Sequence, residues 1–377
     1  MANPRFTVLI PTRDRCETLQ STIATCLAQD YDNLRVIVSD NVSTDATGDV
    51  VASFDDGRLA MVQPDRRLSM TANFEFALSQ VSEGFVMHLG DDDGLLPDGV
   101  AVAAAIARET GCEAVTSSHA VFHWPNSLFE SRRNILTLQV AKGYEIRNAR
   151  QYNQRVASYE LNYPNLPGTY VSFVDMAVIQ RAKRSGKYYR SITPDCYSGF
   201  LNAAHLDRYA YSKRPFAVSG ISGRSNGASQ IIATDPKEAD KYKAENDIQV
   251  HPSVVYCPRS VEIVVAEAFL QAREQAGGLL DVDFDLRHLC HVALRDASET
   301  NYAIVREAVE QISQINGLGV IAPERKSTLM TIQAWLLKNR TRLERLSQGY
   351  RRIDCAPLGA KTIYDACCIA ANRLDRT

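Results

Sequence analysis

The sequence predicts an α/β protein: a mostly parallel sheet with helices on both faces, followed by an all-helical C-terminal domain. Three observations carry this. Short apolar runs alternate with helical patterns up to residue 117, as in repeated βαβ units. One of these runs ends in three consecutive carboxylates, Asp91-Asp92-Asp93. Beyond about residue 235 strand signals cease and helical periodicity takes over.

The first predicted strand is 6–10, and a helix at 14–28 follows with Leu19, Ile23 and Leu27 on one stripe. A second strand spans 34–39 and a second helix 45–53. A short strand at 59–62 precedes a helix at 70–81, on which Phe74, Ala77, Leu78 and Val81 share a face. Residues 85–89 form the strand that leads into the acids. Pro97 suits the first turn of a helix at 97–109, and 113–117 is again a strand. The rhythm then breaks at 119–168, where Trp124-Pro125-Asn126 and Tyr163-Pro164-Asn165-Leu166-Pro167-Gly168 are turn-forming stretches. An insertion or a small antiparallel section is expected there. A strand at 170–174, helices at 176–184 and 195–206, and a last strand at 217–220 complete the first part. Helices are expected at 260–275, 286–298, 302–315 and 323–347. Asp235-Pro236 is the expected boundary between domains of residues 1–235 and 236–377.

A chain of 377 residues is long enough for two domains, and 45% hydrophobic with 23% charged residues is the balance of a globular protein. A net charge of −2 gives no electrostatic case for nucleic acid. The first residues lack a basic region followed by an apolar stretch, and no segment approaches the length needed to span a bilayer. A cytoplasmic protein is expected. Nine cysteines without a Cys-x-x-Cys pair read as reduced, structural thiols. His119 with His123, and His288 with His291, lack the further ligands zinc needs. Between Glu324 and Arg352 a basic face accompanies an apolar stripe through Leu329, Ile332, Leu336, Leu343, Leu346 and Tyr350. The stripe suits packing on neighbouring helices or on a second copy of the chain. The basic face leaves open a peripheral contact at the inner face of the membrane.

The acid triplet projects from the carboxyl end of a strand, the edge at which open α/β sheets bind ligands. Adjacent carboxylates repel, and a hard divalent cation relieves the repulsion. Mg²⁺ or Mn²⁺ is held by one or two carboxylates with substrate phosphates completing the shell. Neither Gly-x-Gly-x-x-Gly nor a P-loop follows the first strand, so phosphates need another holder.

Three motifs occur in order: Ile10-Pro11-Thr12-Arg13-Asp14-Arg15, then Val38-Ser39-Asp40-Asn41 with Ser43-Thr44-Asp45, then Leu89-Gly90-Asp91-Asp92-Asp93-Gly94 with Leu96-Pro97. Together they resemble the signatures of family 2 glycosyltransferases with the GT-A fold, over roughly the first 235 residues. The resemblance implies a metal-dependent, inverting enzyme. It would move a sugar from a nucleoside-diphosphate sugar to a hydroxyl of a saccharide or lipid-linked saccharide acceptor, in cell-surface polysaccharide or glycoconjugate synthesis. Position by position, it implies that Pro11 and Thr12 border the nucleotide base, with Arg13 and Asp14 in the same donor loop. Asp40 would contact base or ribose, and Asn73 would line the donor pocket or support its loop. Asp91, Asp92 and Asp93 would form the DXD-type motif, with Asp93 and next Asp91 on Mn²⁺ or Mg²⁺, and with Asp91 and Asp92 at the donor nucleotide. Asp195, in Thr193-Pro194-Asp195, would be the catalytic base; an N-cap carboxylate is its plainer reading. The Glu-Asp pair more frequent in the family is absent there. Arg224, in the Gly- and Ser-rich stretch 216–227, would neutralise diphosphate charge from a closing loop. A nucleotidyltransferase on a related fold, or a catalytically silent sugar-nucleotide binding protein, are the rival readings.

Overall fold

The structure is a computed structural model that describes residues 3–225, 244, 249–321 and 349–375. The expected boundary at Asp235-Pro236 and the expected helix at 323–347 lie outside the described residues.

The chain opens as anticipated, with strands β1 (Phe6–Thr12), β2 (Leu34–Asp40), β3 (Leu59–Val62) and β4 (Phe85–His88) separated by helices α1 (Cys16–Leu27), α2 (Thr47–Ala52) and α3 (Met70–Leu78). All four strands are parallel, and β1 lies between β2 and β4. The right-handed crossovers of such units put helices on both faces. Buried residues therefore alternate between two cores. Phe6, Val8 and Ile10 face Leu19 and Ile23 of α1 together with Ala103 and Ala104 of α4 (Gly99–Thr110). Leu9, Ile37 and Val86 face the other way, toward Ala77 and Leu78 of α3.

Two short strands then change the pattern. β5 (Gly94–Leu95) comes directly after the acids, and β6 (Ala114–Ser117) rejoins the main sheet. The irregular region supplies β7 (Ala120–His123), β8 (Ile135–Gln139), β9 (Tyr144–Asn148) and helix α5 (Ala149–Ala157), which Asn148 caps by accepting from the Gln151 N–H at 2.8 Å. β10 (Phe173–Asp175) lies antiparallel between β4 and β6. After α6 (Met176–Ala182) and α7 (Pro194–Ala204), β11 (Arg208–Ser212) runs parallel to β6. The main sheet has the order β3-β2-β1-β4-β10-β6-β11-β9.

β12 (Ala217–Ile221) belongs to a second, five-stranded sheet ordered β13-β8-β7-β12-β5, with β13 at Tyr350–Asp354. The acid triplet is thus the turn between the two sheets: β4 enters it and β5 leaves it. Because β12 pairs with both β5 and β7, its own loop is brought to that turn.

The C-terminal part is mainly helical, with α8 (Val261–Ala276), α9 (Leu286–Asp296) and α10 (Tyr302–Asn316). α8 packs on α7, where the Phe200 and Phe269 rings meet edge to face at 5.2 Å. One expectation is corrected here. Tyr350, Arg351 and Arg352, assigned to the end of the basic helical stripe, form β13 antiparallel to β8. Gly349 marks where the strand begins: its φ of +83° lies outside helical geometry, and a Cβ there would lie 2.5 Å from the Val140 carbonyl oxygen. The final helix α11 (Ile363–Asp375) then covers the second sheet, packing Ile363, Ala366, Cys367 and Ala370 against Phe122, Leu136 and Val218. No helix among the described residues is long and apolar enough to cross a membrane.

Gly349→Ala is expected to lose about 1–3 kcal/mol through a strained backbone and the Val140 contact. Urea denaturation of the two proteins side by side measures this; unchanged stability would mean that β13 does not hold the chain end in place.

Candidate active site

The three acids are all buried, at 4%, 5% and 0% exposure for Asp91, Asp92 and Asp93. Buried charge is tolerated only when hydrogen-bonded or paired. Each acid is satisfied differently.

Asp93 is held on every side. Its Oδ2 accepts from the Gly90 N–H at 3.0 Å and from the Tyr170 hydroxyl, and its Oδ1 accepts from the Gly220 N–H at 2.6 Å. Burial, followed by the charge of Asp92, pushes its pKa up to about 7. Asp91 is paired: Oδ1 meets Arg15 Nη1 at 2.8 Å and Oδ2 accepts from Thr12 Oγ1 at 2.8 Å. Burial raises its pKa, against the pull of Arg15. Asp92 is held on one oxygen only. Its Oδ2 accepts from Ser222 Oγ at 2.7 Å and Ser225 Oγ at 2.5 Å, and among the described residues Oδ1 has no hydrogen-bond partner.

The backbone of the turn is fixed as well. Thr22 Oγ1 donates to the carbonyls of Asp91 and Asp93 at 3.0 and 2.7 Å. Trp124 Nε1 donates to the Asp92 carbonyl at 3.0 Å. β12 comes so close that a Cβ on Gly220 would sit 1.8 Å from that same carbonyl oxygen. Only glycine permits the approach that delivers the Gly220 N–H to Asp93.

A cavity of about 810 Å³ opens beside this turn. Asp91 and Asp92 line it, and Asp93 does not. Asp93, expected first on the metal, has an enclosed and saturated carboxylate; Asp91, expected next, lines the cavity, and Asp92 is the acid with an oxygen left for a ligand. Pro11, Thr12, Arg13 and Asp14 of the first loop line the cavity, and so does Arg224 of the 216–227 stretch. Asp14 adopts a φ of +53°, and its carboxylate accepts from the Thr44 N–H at 2.7 Å and from Arg67 at 2.9 Å. The Thr44 N–H, the largest favourable contact, lowers its pKa.

One donor assignment changes, and one of two readings is favoured for another. Asp40 is 3% exposed and does not line the cavity; it accepts from the Ser43 N–H at 3.1 Å and Gln63 Nε2 at 2.7 Å, so it holds its own loop. Asn73 borders the cavity, but its amide is engaged with Ser39, accepting from Oγ at 2.8 Å and donating to the carbonyl at 3.2 Å. It supports the β2 edge. The 216–227 stretch is also no open lid as far as Ser225. Arg15 donates to the Arg224 carbonyl, Arg224 Nη1 donates to the Asp14 carbonyl at 3.0 Å, and both serines grip Asp92. Asn226 and Gly227 lie outside the described residues.

Asp195 lines the same cavity, at the second position of α7 after Pro194. Thr193 is the N-cap residue and its side chain makes no cap bond, so Asp195 is not the N-cap. Asp195 Oδ2 accepts from the Tyr163 hydroxyl at 3.0 Å, and burial raises its pKa. Tyr163, Tyr170 and Arg15 are site residues that sequence reasoning did not single out. Tyr163 stood in a stretch legible only as a turn, while Arg15 stood inside the first motif and was left without a role.

Residues 7–182 match the family model described as Glycosyl transferase family 2. This stretch is a family 2 glycosyl transferase domain. A relative from Campylobacter jejuni, GalNAc(5)-diNAcBac-PP-undecaprenol beta-1,3-glucosyltransferase, is 33% identical over 109 residues, 28% of this chain. The match spans 35% of that relative, about a third of its length. Among solved structures, S. aureus TarS 1-349 in complex with UDP-GlcNAc is similar at 14% identity and a TM-score of 0.49, covering 83% of this chain and 90% of that one. The mannosyltransferase PcManGT from Pyrobaculum calidifontis, in complex with GDP-Man and Mn²⁺, is similar at 17% identity and a TM-score of 0.43, covering 89% and 86%. Likenesses this distant add nothing to the fold, which the sheet order itself gives as mixed α/β, a large sheet flanked by helices.

Within this family 2 domain the two neighbouring acids should behave in opposite ways. Asp93→Asn turns an amide N–H toward the Gly220 N–H and is expected to destabilise the fold by about 1–3 kcal/mol. Asp92→Asn keeps an oxygen for Ser222 and Ser225 and should leave the melting temperature nearly unchanged. Paired thermal melts check this; equal losses would remove the distinction.

Proposed function

We propose that this domain transfers a sugar from a nucleoside diphosphate to an acceptor hydroxyl with inversion at the anomeric carbon. The observation that supports it most is the meeting, around one cavity, of an acid with an unused oxygen and a second, half-buried acid whose pKa desolvation raises: Asp92 and Asp195.

The donor diphosphate lies against Asp92, within reach of Arg13, Arg15 and Arg224 at the cavity wall. Pro11 and Thr12 flank the nucleotide. The chemistry of the donor set fits Mn²⁺ or Mg²⁺. No group of three His, Cys, Asp or Glu that could hold a metal exists among the described residues, so one or two carboxylates and the substrate's phosphates must form the shell, as these ions prefer. Asp92 would hold the cation and Asp91, already neutralised by Arg15, would stand beside it. When bound, such a cation stabilises charge on the departing diphosphate. A bound metal in a distant relative's structure is a property of that relative.

In the reaction the acceptor oxygen bonds to the anomeric carbon as the bond from that carbon to the phosphate oxygen breaks. Asp195 takes the acceptor's proton, and the electron pair leaves on the diphosphate. A carboxylate whose pKa burial has raised is a stronger base than one in water. The Tyr163 hydroxyl holds one carboxylate oxygen and leaves the other for the acceptor. Close by, Tyr163, Ile192, Tyr256 and Val261 give the cavity an apolar and aromatic wall suited to the face of a sugar ring. A saccharide or lipid-linked saccharide is the acceptor in this reading, and cell-surface polysaccharide or glycoconjugate synthesis its setting. A nucleotidyltransferase gains no support, since the 11–15 loop has no glycine to cradle a triphosphate.

Incubation with UDP-, GDP- and dTDP-sugars and Mn²⁺ should release nucleoside diphosphate, and EDTA should stop it. Pyrophosphate release from a nucleoside triphosphate would instead establish the rival enzyme. Asp195→Asn should bind donor normally but lower kcat about 10²–10⁴-fold. The acid limb of the kcat/KM profile should lie above the usual aspartate range, because activity is lost as pH falls through the raised pKa of Asp195. A limb at the pKa of a free aspartate would remove Asp195 as the base.

A further inference from the structure

The second sheet presents a row of side chains to the cavity that the proposed chemistry leaves unused. β7 and β12 pair in parallel, with Ala120 opposite Val218 and Val121 opposite Ser219. Ala120 and Val218 are buried at 1% and 0% exposure, on the side that α11 covers. Alternation along each strand turns His119, Ala217 and Ser219 to the opposite face, and all three line the cavity.

Most polar groups around them are engaged. Thr116 Oγ1 bonds Ser172 Oγ at 2.7 Å, Ser117 Oγ accepts from the Phe216 N–H at 3.1 Å, and Ser118 Oγ donates to the Lys213 carbonyl at 2.7 Å. Two groups stand apart. The Ser219 hydroxyl is buried without a hydrogen-bond partner among the described residues. The half-buried His119 imidazole likewise has none among them. Burial lowers the His119 pKa, which favours the uncharged ring at neutral pH. It then offers one N–H donor and one bare nitrogen acceptor. Buried polar groups are rarely left unmatched, and two unmatched groups on residues that line a cavity mark a place where a ligand completes the bonding. The backbone holding them is rigid: the Ser118 N–H donates to the Ser212 carbonyl at 2.8 Å, and Gly220, next to Ser219, donates to Asp93.

We propose that His119 and Ser219 form a subsite that recognises a hydroxyl of the transferred sugar. A neutral donor–acceptor ring suits a hydroxyl, which also donates and accepts, and not a phosphate. The small Ala217 leaves room for the ring between them. Ser219 turns its Oγ into the cavity by rotation between staggered rotamers. It lies three residues before Ser222, whose hydroxyl holds Asp92, and Ser219 and Asp92 line the same cavity. This inference rests on the glycosyl-transfer reading and adds to it the residues that read the donor's sugar.

Calorimetric titration in Mn²⁺ tests it, using UDP, GDP and dTDP alone and then UDP-glucose, UDP-galactose, GDP-mannose and dTDP-glucose. In His119→Ala the sugar nucleotide that the wild type binds should weaken about tenfold, the worth of one or two neutral hydrogen bonds, while the free nucleoside diphosphate binds as before. His119→Gln, which keeps a donor and an acceptor, should recover part of the loss, and Ser219→Ala should show a smaller loss of the same kind. Equal weakening of the nucleoside diphosphate, or unchanged affinity for the sugar nucleotide, overturns the subsite while leaving glycosyl transfer standing. A wild type that binds no sugar nucleotide overturns both.

Discussion

The site depends on burying three adjacent carboxylates at the end of one strand. Three like charges in a dry turn are tolerable only if each finds its own partners. Asp91 takes a guanidinium and a threonine hydroxyl, Asp93 takes two backbone N–H groups and a tyrosine, and Asp92 takes two serines on one oxygen. The consequence is asymmetry. Two carboxylates are consumed in holding the turn, and the middle one keeps an oxygen for a ligand.

That requirement also explains much of the surrounding architecture. Thr12 and Arg15 come from the end of β1 and the loop after it, Tyr170 from the crossing that precedes β10, and Gly220, Ser222 and Ser225 from β12 and its loop. The second sheet exists in the right place because β5 starts directly at Gly94 and pairs with β12. Even the chain end takes part, since Cys367 of α11 lies where a Cβ on Gly94 would fall, at 2.8 Å. Segments far apart in sequence are thus tied to one turn, and the cavity is the space they leave between Asp92 and Asp195.

The parallel half of the fold was readable because its signals are local: an apolar run of four to seven residues, then a helical stripe, repeated. The acids were readable because a charged triplet after such a run has few other uses. What the sequence hid were pairings between distant segments. Nothing in Tyr350-Arg351-Arg352 distinguishes a strand from the end of a helix until Gly349 meets Val140. Nor does the triplet itself reveal which aspartate is enclosed, because that is decided by Tyr170 and Gly220, 77 and 127 residues away. Asp40 misled for the same reason: its partner Gln63 belongs to another strand's end, and turns the carboxylate into the loop.

The most direct test is an anomalous difference map from crystals grown with Mn²⁺ and a nucleoside diphosphate. One peak is expected in the cavity beside Asp92 Oδ1, next to the diphosphate, with Asp93 still closed around Gly90, Tyr170 and Gly220. A peak on Asp93, or diphosphate bound away from the triplet, would contradict it.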